Sequence, residues 1–256
     1  MTEPSTRVFV EDAVEPPVRG FLHSPATPNS NALILTHGAG FNAQSPLLSA
    51  LADVFCAAGF TVLRCDLPFR QTRRFGPPGP GDSKRDRAGL KNAIATLGKV
   101  VGAPLLASFA RSGNSPEQGS MKDLGGPGSL RQGWEKIFLG GHSYGGRQAS
   151  MLAAEEPDLV AGLLLLSYPL HPPGKPEQIR TQHFPNLRTP TLFVHGTLDP
   201  FASIEELEQA RKLIPAKTEL LTVERAGHDL GFKGKARREE LPAVLLESFQ
   251  AFFFKR

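Results

Sequence analysis

Cysteine is scarce in this chain: 256 residues contain only Cys56 and Cys65. Two thiols cannot build a disulfide framework, so stability must come from the core, and free buried thiols are expected. Long apolar runs are missing too. None approaches the roughly 20 residues needed to span a membrane. No H-E-x-x-H occurs and no histidine pair has metal-ligand spacing, so no metal and no other cofactor is expected. The first 20 residues, "MTEPSTRVFVEDAVEPPVRG", lack the basic and then apolar layout of a signal peptide, which predicts a cytoplasmic protein with no membrane partner. Charge of one sign is not in large excess, at a net +4. Between Arg70 and Asn92, however, seven basic residues face only Asp82 and Asp86. Without interleaved aromatics or a binding motif, a solvated basic loop is a better reading than a nucleic-acid surface, and no nucleic-acid partner is expected.

What remains is an ordinary globular composition, 40% hydrophobic and 21% charged, in a chain long enough for one large domain. "RVFV" and "PVRGFLH" read as an edge hairpin. "NALILTHG", "FTVLRCD", "KIFLGG", "LVAGLLLLSYP", "PTLFVHG" and "KTELLTV" read as buried strands. Helices are expected in "SPLLSALADVFCAAG", from Lys84 to Val101, from about Tyr144 to Glu155, in "SIEELEQARKLI" and in "LPAVLLESFQAFFF". Ser45 with Pro46 is the expected start of the first, and Gly59 its stop. Alternation of strand and helix predicts one mostly parallel α/β sheet, covered by helices on both faces, as a single domain over 1–256. The Gly/Pro/Ser-rich stretch around 102–134 interrupts it and is expected to be a flexible insertion.

Within "FLGGHSYGGRQAS", Gly141-His142-Ser143-Tyr144-Gly145 fits G-x-S-x-G between a strand and a helix. There a sharp turn would hold Ser143 up as a nucleophile. A serine needs a base, and the base needs an orienting acid. Asp199, just past "PTLFVHG", and His228, just past "KTELLTV", fall in the order Ser, acid, His along the chain. The amides of Tyr144 and Ala39 are the expected oxyanion donors, with Gly40 and Phe41 as substitutes for Ala39. His37 is expected to shape the "HGAGF" loop, His142 to pack beneath the serine and His195 to be structural.

Together "THGAG", "GHSYGG", "HGTLDPF" and "AGHDL" resemble the α/β-hydrolase superfamily over nearly the whole chain. "RCDLPFRQ", "LLLLSYPLHPPGKPEQIR" and "HGTLDPF" more narrowly resemble the hydrolase-like family of the testis-expressed Tex proteins. That family includes the hydrolase-like domain of a regulatory subunit of a histone acetyltransferase complex, and dienelactone hydrolases are more distant. The resemblance implies a Ser-His-Asp hydrolase fold with no defined substrate, while the residues themselves predict cleavage of a small-molecule acyl substrate through an acyl-enzyme. It also implies an alternative, a catalytically silent scaffold that binds a protein partner. Two substrate contacts are expected. One of Arg70, Arg73 and Arg74, with Arg70 the first choice, would meet an anionic group, and His171 would either line a pocket between the basic loop and the loop after "LLLLSYP" or pack its own loop. A third reading rests on Gly38-Ala39-Gly40-Phe41-Asn42-Ala43 with Asp66, which fits a dinucleotide fingerprint but leaves Ser143, Asp199 and His228 unexplained.

Overall fold

The computed structural model describes residues 3–100 and 134–255. The expected insertion lies outside the described residues except at Trp134, which is buried and donates from its indole nitrogen to the Leu97 carbonyl at 3.0 Å.

Eight strands form one sheet: β1 (Ser5–Glu11), β2 (Val18–Ser24), β3 (Asn31–Thr36), β4 (Thr61–Cys65), β5 (Lys136–His142), β6 (Gly162–Leu166), β7 (Thr191–Gly196) and β8 (Thr218–Val223). Their order is β1-β2-β4-β3-β5-β6-β7-β8. β2 runs antiparallel to β1 and to β4, and every other pairing is parallel. Every residue of β3, β4, β6 and β7 is buried, as strands covered on both faces must be.

Among the described residues six α-helices supply the cover: α1 (Pro46–Ala57), α2 (Pro68–Thr72), α3 (Asp82–Val100), α4 (Tyr144–Glu155), α5 (Ile204–Arg211) and α6 (Lys235–Phe254). Successive strand residues point to opposite faces, so the leucine-rich strands feed two cores. Ile34, Leu63, Leu163 and Leu165 pack with Leu90, Leu97, Leu152 and Leu207 from α3, α4 and α5. Leu33, Leu35, Leu164 and Val194 pack with Leu51 and Phe55 of α1 and Leu245 and Phe249 of α6. Phe249 sits edge-on to Phe55 and to Phe138, with centroids 4.9 Å apart in both pairs.

The expected strands and long helices are all present. Gly59 ends α1 at φ +93° with the paired bonds of a Schellman motif, Gly59 N–H to Cys56 O and Phe60 N–H to Phe55 O. Two helices differ from expectation. α2 falls where a loop was expected, because Pro68 suits a first helical turn and Asp86 accepts the Phe69 N–H at 2.9 Å. α6 begins at Lys235 and passes through Pro242, earlier than its apolar stripe suggests.

The basic segment is largely paired within the chain. Arg73 meets Asp82, Arg85 meets Glu15, Arg87 meets Glu155 and Lys91 meets Glu156. Cys56 and Cys65 are free and buried, and burial pushes the Cys65 thiol up to about 12, where it is inert. Among the described residues, no helix is long and apolar enough to cross a membrane.

Candidate active site

Parallel strands bring the chain ends that follow them to one edge of the sheet. Ser143 follows β5, Asp199 follows β7 and His228 follows β8. At the end of β5 the chain turns straight into α4, and Ser143 takes φ +52° and ψ −117°. That conformation costs a non-glycine residue on the order of 1–3 kcal/mol. The surroundings hold it. A Cβ on Gly141 would lie 2.5 Å from the Gly146 nitrogen, and one on Gly145 would lie 2.6 Å from the His37 carbonyl oxygen. The glycines thus let strand and helix backbones touch. The Ser143 N–H is also bound, to the Leu166 carbonyl on β6 at 2.8 Å.

From this turn a continuous chain of hydrogen bonds runs outward. Ser143 Oγ lies 2.7 Å from His228 Nε2, and His228 Nδ1 lies 2.8 Å and 3.0 Å from the two Asp199 carboxylate oxygens. With its proton on Nδ1, the imidazole donates to Asp199 and accepts from the serine hydroxyl. Asp199 is buried, and burial alone would raise its pKa. The bond from His228, the charge of that ring and the Phe201 N–H outweigh this and hold it below the usual carboxylate value. Phe201 stacks on the His228 ring at 4.1 Å and 31°.

The loop after β3 is the second wall. A Cβ on Gly38 would lie 3.3 Å from the Ser143 Cβ, so this loop passes directly against the serine. His37 shapes it from beneath. Its Nε2 accepts the Leu67 N–H at 3.1 Å, its Nδ1–H donates to the Gly38 carbonyl at 2.9 Å, and burial lowers its pKa to about 4. Tyr144 is the first residue of α4, where an N–H has no intrahelical acceptor. Neither the Tyr144 nor the Ala39 amide donates to a backbone carbonyl among the described residues. The site therefore combines an oriented hydroxyl and an imidazole backed by a carboxylate, with the uncommitted amides of Tyr144, next in the chain to the serine, and of Ala39, in the loop that passes against it.

Two expected substrate contacts stand elsewhere. The Arg70 guanidinium is taken up by carbonyls, donating to Ala39 at 2.5 Å, Phe41 at 2.9 Å, Arg74 at 2.9 Å, Gly76 at 3.0 Å and Arg73 at 3.1 Å. It clasps the loop after β3 to the basic loop, and all five of its donors are used. His171 is buried in its own loop, with Nδ1 2.8 Å from the Pro172 carbonyl and Nε2 3.3 Å from the Glu206 carboxylate. A pocket of about 130 Å³ opens between the starts of α1 and α6, lined by Phe41, Pro46, Leu47, His142 and Phe232 together with the charged Asp229, Lys233 and Arg238. Asp66, the ribose-binding candidate of the dinucleotide reading, is spent on the Ala43 N–H at 2.7 Å.

Three contributors were not singled out as site groups in the sequence. Phe201 was visible only as part of "LDPF". The contact of His142 with His228 joins residues far apart in sequence and carries no local signal. Asp86 is buried and accepts the Tyr144 hydroxyl at 2.7 Å, yet in sequence it is one acid within a basic run.

Residues 128–250 match a family described as "Alpha/beta hydrolase domain". Three solved structures match over nearly all of both chains. Dienelactone hydrolase from Anabaena variabilis is 21% identical, covering 98% of this chain and 100% of its own, with a TM-score of 0.68. An alpha-beta serine hydrolase homologue from Coxiella burnetii is 16% identical, covering 97% and 98%, with a TM-score of 0.60. A monoacylglycerol lipase from Paleococcus ferrophilus is 16% identical, covering 98% and 100%, with a TM-score of 0.61. With its eight-stranded, mostly parallel sheet and its helices on both faces, the chain has the α/β-hydrolase fold.

Proposed function

We propose that the chain, as a single domain, is a serine hydrolase that cleaves a small ester, thioester or related acyl bond. The observation that carries this reading is the unbroken hydrogen-bond chain from Ser143 through His228 to Asp199, anchored on a serine at φ +52°. The neighbouring folds support it, since the similar structures include a dienelactone hydrolase and a monoacylglycerol lipase. The kinship with the Tex-like hydrolases rests on the segments "RCDLPFRQ", "LLLLSYPLHPPGKPEQIR" and "HGTLDPF", and it remains part of the proposal.

In this mechanism Ser143 Oγ attacks the acyl carbon while His228 Nε2 takes the hydroxyl proton. Asp199 fixes the tautomer and stabilises the imidazolium that forms. The carbonyl oxygen becomes an oxyanion and is met by the amides of Ala39 and Tyr144, the latter at the positive end of α4. As the carbon–oxygen or carbon–sulfur bond breaks, His228 returns the proton to the leaving alcohol or thiol. Water, deprotonated by His228, then attacks the acyl-enzyme and releases the acid and the free serine.

A fluorophosphonate probe tests the reading. The wild-type chain should be labelled and Ser143→Ala should not, while both keep the same circular dichroism. Well-folded wild-type protein that resists the probe and hydrolyses no ester in a panel of varied chain length would instead support a silent scaffold for a protein partner.

A further inference from the structure

α4 carries an arginine one turn below the candidate nucleophile. The Arg147 N–H donates to the Ser143 carbonyl at 3.0 Å. Its guanidinium makes no hydrogen bond or ion pair to any described residue, and its Nε is buried without an acceptor. Buried guanidinium donors are normally paired, because stripping their water costs free energy that only an acceptor returns.

The surroundings make this lack more pointed. The loop after β6 is tied onto α4 at this place. His183 Nε2 lies 2.8 Å from Ser150 Oγ, which donates to the Arg147 carbonyl at 2.9 Å. The fully buried Tyr168 donates its hydroxyl to the Arg180 carbonyl at 2.9 Å. A second arginine, Arg180, lies within reach of the first one's charge; its guanidinium is bonded only weakly, to the Pro169 carbonyl at 3.4 Å, and to no carboxylate among the described residues. Burial and then the Arg147 charge lower the pKa of Arg180. Burial, Arg147 and Arg87 bring His183 down to about 4, so His183 adds no charge at neutral pH. The acids on the facing helices are committed elsewhere: Asp86 to the Phe69 N–H and the Tyr144 hydroxyl, and Glu155 to Arg87. A neighbouring amide is also unsatisfied. Gln148 is wholly buried, its oxygen accepts from Ser83 and Arg87, and its Nε2 has no acceptor. Among the described residues, therefore, neither arginine has a carboxylate partner, and the Gln148 amide beside Arg147 in the chain is unsatisfied.

We infer that Arg147 and Arg180 form an anion subsite that takes a carboxylate or phosphate group carried by the substrate. This rests on the hydrolase reading for the identity of the ligand, but not for the existence of the site. The layout of the sheet gives the subsite its place. Arg147 and Arg180 lie on the face covered by α3 and α4, whereas the apolar pocket beside His142 opens between α1 and α6 on the other face. Ser143 stands at the sheet edge between them. The substrate would be amphiphilic, its scissile bond over Ser143, an apolar end toward Phe41 and Phe232 and an anionic end toward the arginines. Guanidinium groups suit such a ligand because their planar fork matches carboxylate and phosphate oxygens.

Two measurements on the full-length chain test this. In the first, inorganic phosphate is titrated against Ser143→Ala, with and without Arg147→Gln or Arg180→Gln, and binding is read by calorimetry. Phosphate affinity should fall about tenfold or more in each arginine variant, the scale of a lost charge-assisted contact. No binding to the parent, or equal binding by all three proteins, overturns the site whatever the enzyme does. In the second, wild type and Arg147→Lys are compared on p-nitrophenyl butyrate and on p-nitrophenyl hemisuccinate. Arg147→Lys keeps the charge and loses the fork, so KM for the hemisuccinate should rise about fivefold more than for the butyrate. Phosphate should compete with the hemisuccinate alone. Phosphate that binds through the arginines but slows both esters equally would reject the substrate assignment and mark a free-anion effector site. An absence of any hydrolysis would count against the hydrolase reading and leave the phosphate result to decide the site.

Discussion

His142 and His228 are joined through the main chain as well as side by side. The His142 Nε2–H donates to the His228 carbonyl oxygen at 2.8 Å, and the two rings lie 5.2 Å apart. His228 is thus held at three points: its carbonyl by His142, its Nδ1 by Asp199 and its ring face by Phe201. Burial and the neighbouring His228 bring the His142 pKa down to about 4, so at neutral pH it is an uncharged donor.

Removing that donor should loosen the base without removing it. His142→Phe keeps the ring and strands the His228 carbonyl, at a cost of about 1–3 kcal/mol in geometry or stability. The expected outcome is a fall in kcat of about tenfold with little change in KM. His142→Gln, which restores an N–H, should recover part of the loss. Steady-state ester kinetics on the three proteins provide the check.

Asp199→Asn should be more damaging. It keeps the volume but offers His228 a donor where an acceptor is needed, which favours the wrong tautomer. The expected loss is about 10⁴-fold in kcat, with a stable fold. A loss below about tenfold would mean that Asp199 is not the orienting acid.

Arg70→Ala separates a loop clasp from a substrate contact. Five backbone carbonyls converge on this guanidinium, among them that of Ala39. Its removal should slow neutral and acidic esters alike, by about tenfold, because the oxyanion-side loop loses its anchor. The sequence alone points to a KM effect confined to acidic esters, so the two esters measured side by side decide the role.

Gly145→Val should prevent folding or lower the melting temperature sharply. A Cβ there would sit 2.6 Å from the His37 carbonyl oxygen and 2.7 Å from the Thr36 Cγ2, and a branched side chain enlarges the clash. A destabilisation above about 3 kcal/mol in urea unfolding is expected. Ser143→Ala, by contrast, adds no atoms and should unfold near the wild-type midpoint.

Stability should fall on acidification below neutral pH. Burial holds His37, His142 and His183 at about 4, against 6.5 in an unfolded chain. Between those values the unfolded state binds more protons, so stability is fully present above about 6.5 and declines as pH falls toward 4. Asp66 and Asp86, both raised by burial, act in the opposite direction just above the ordinary aspartate value and soften the low end. Each buried imidazole contributes on the order of 1–3 kcal/mol over this range. Thermal melts from pH 7.5 to 4.5 measure the slope, and a flat profile contradicts it.

The sequence by itself determined the sheet, its leucine-rich strands, the turn at Ser143 and the order Ser143, Asp199, His228. These are local or periodic properties, and the chemistry of a strand–turn–helix is legible wherever glycine must admit a close approach. Tertiary structure alone decided which side chains were already spoken for. Arg70 is a cation in sequence, but loops separated by up to 31 residues bring carbonyls around it and use up its donors. Arg147 carries no signal of its own in the sequence, yet in the fold its Nε is buried with no acceptor among the described residues. The tie between His142 and His228 spans 86 residues and exists only because β5 and β8 end at the same sheet edge. Hydrogen-bond partners at such separations are set by how strands are ordered and packed, and no local pattern encodes them.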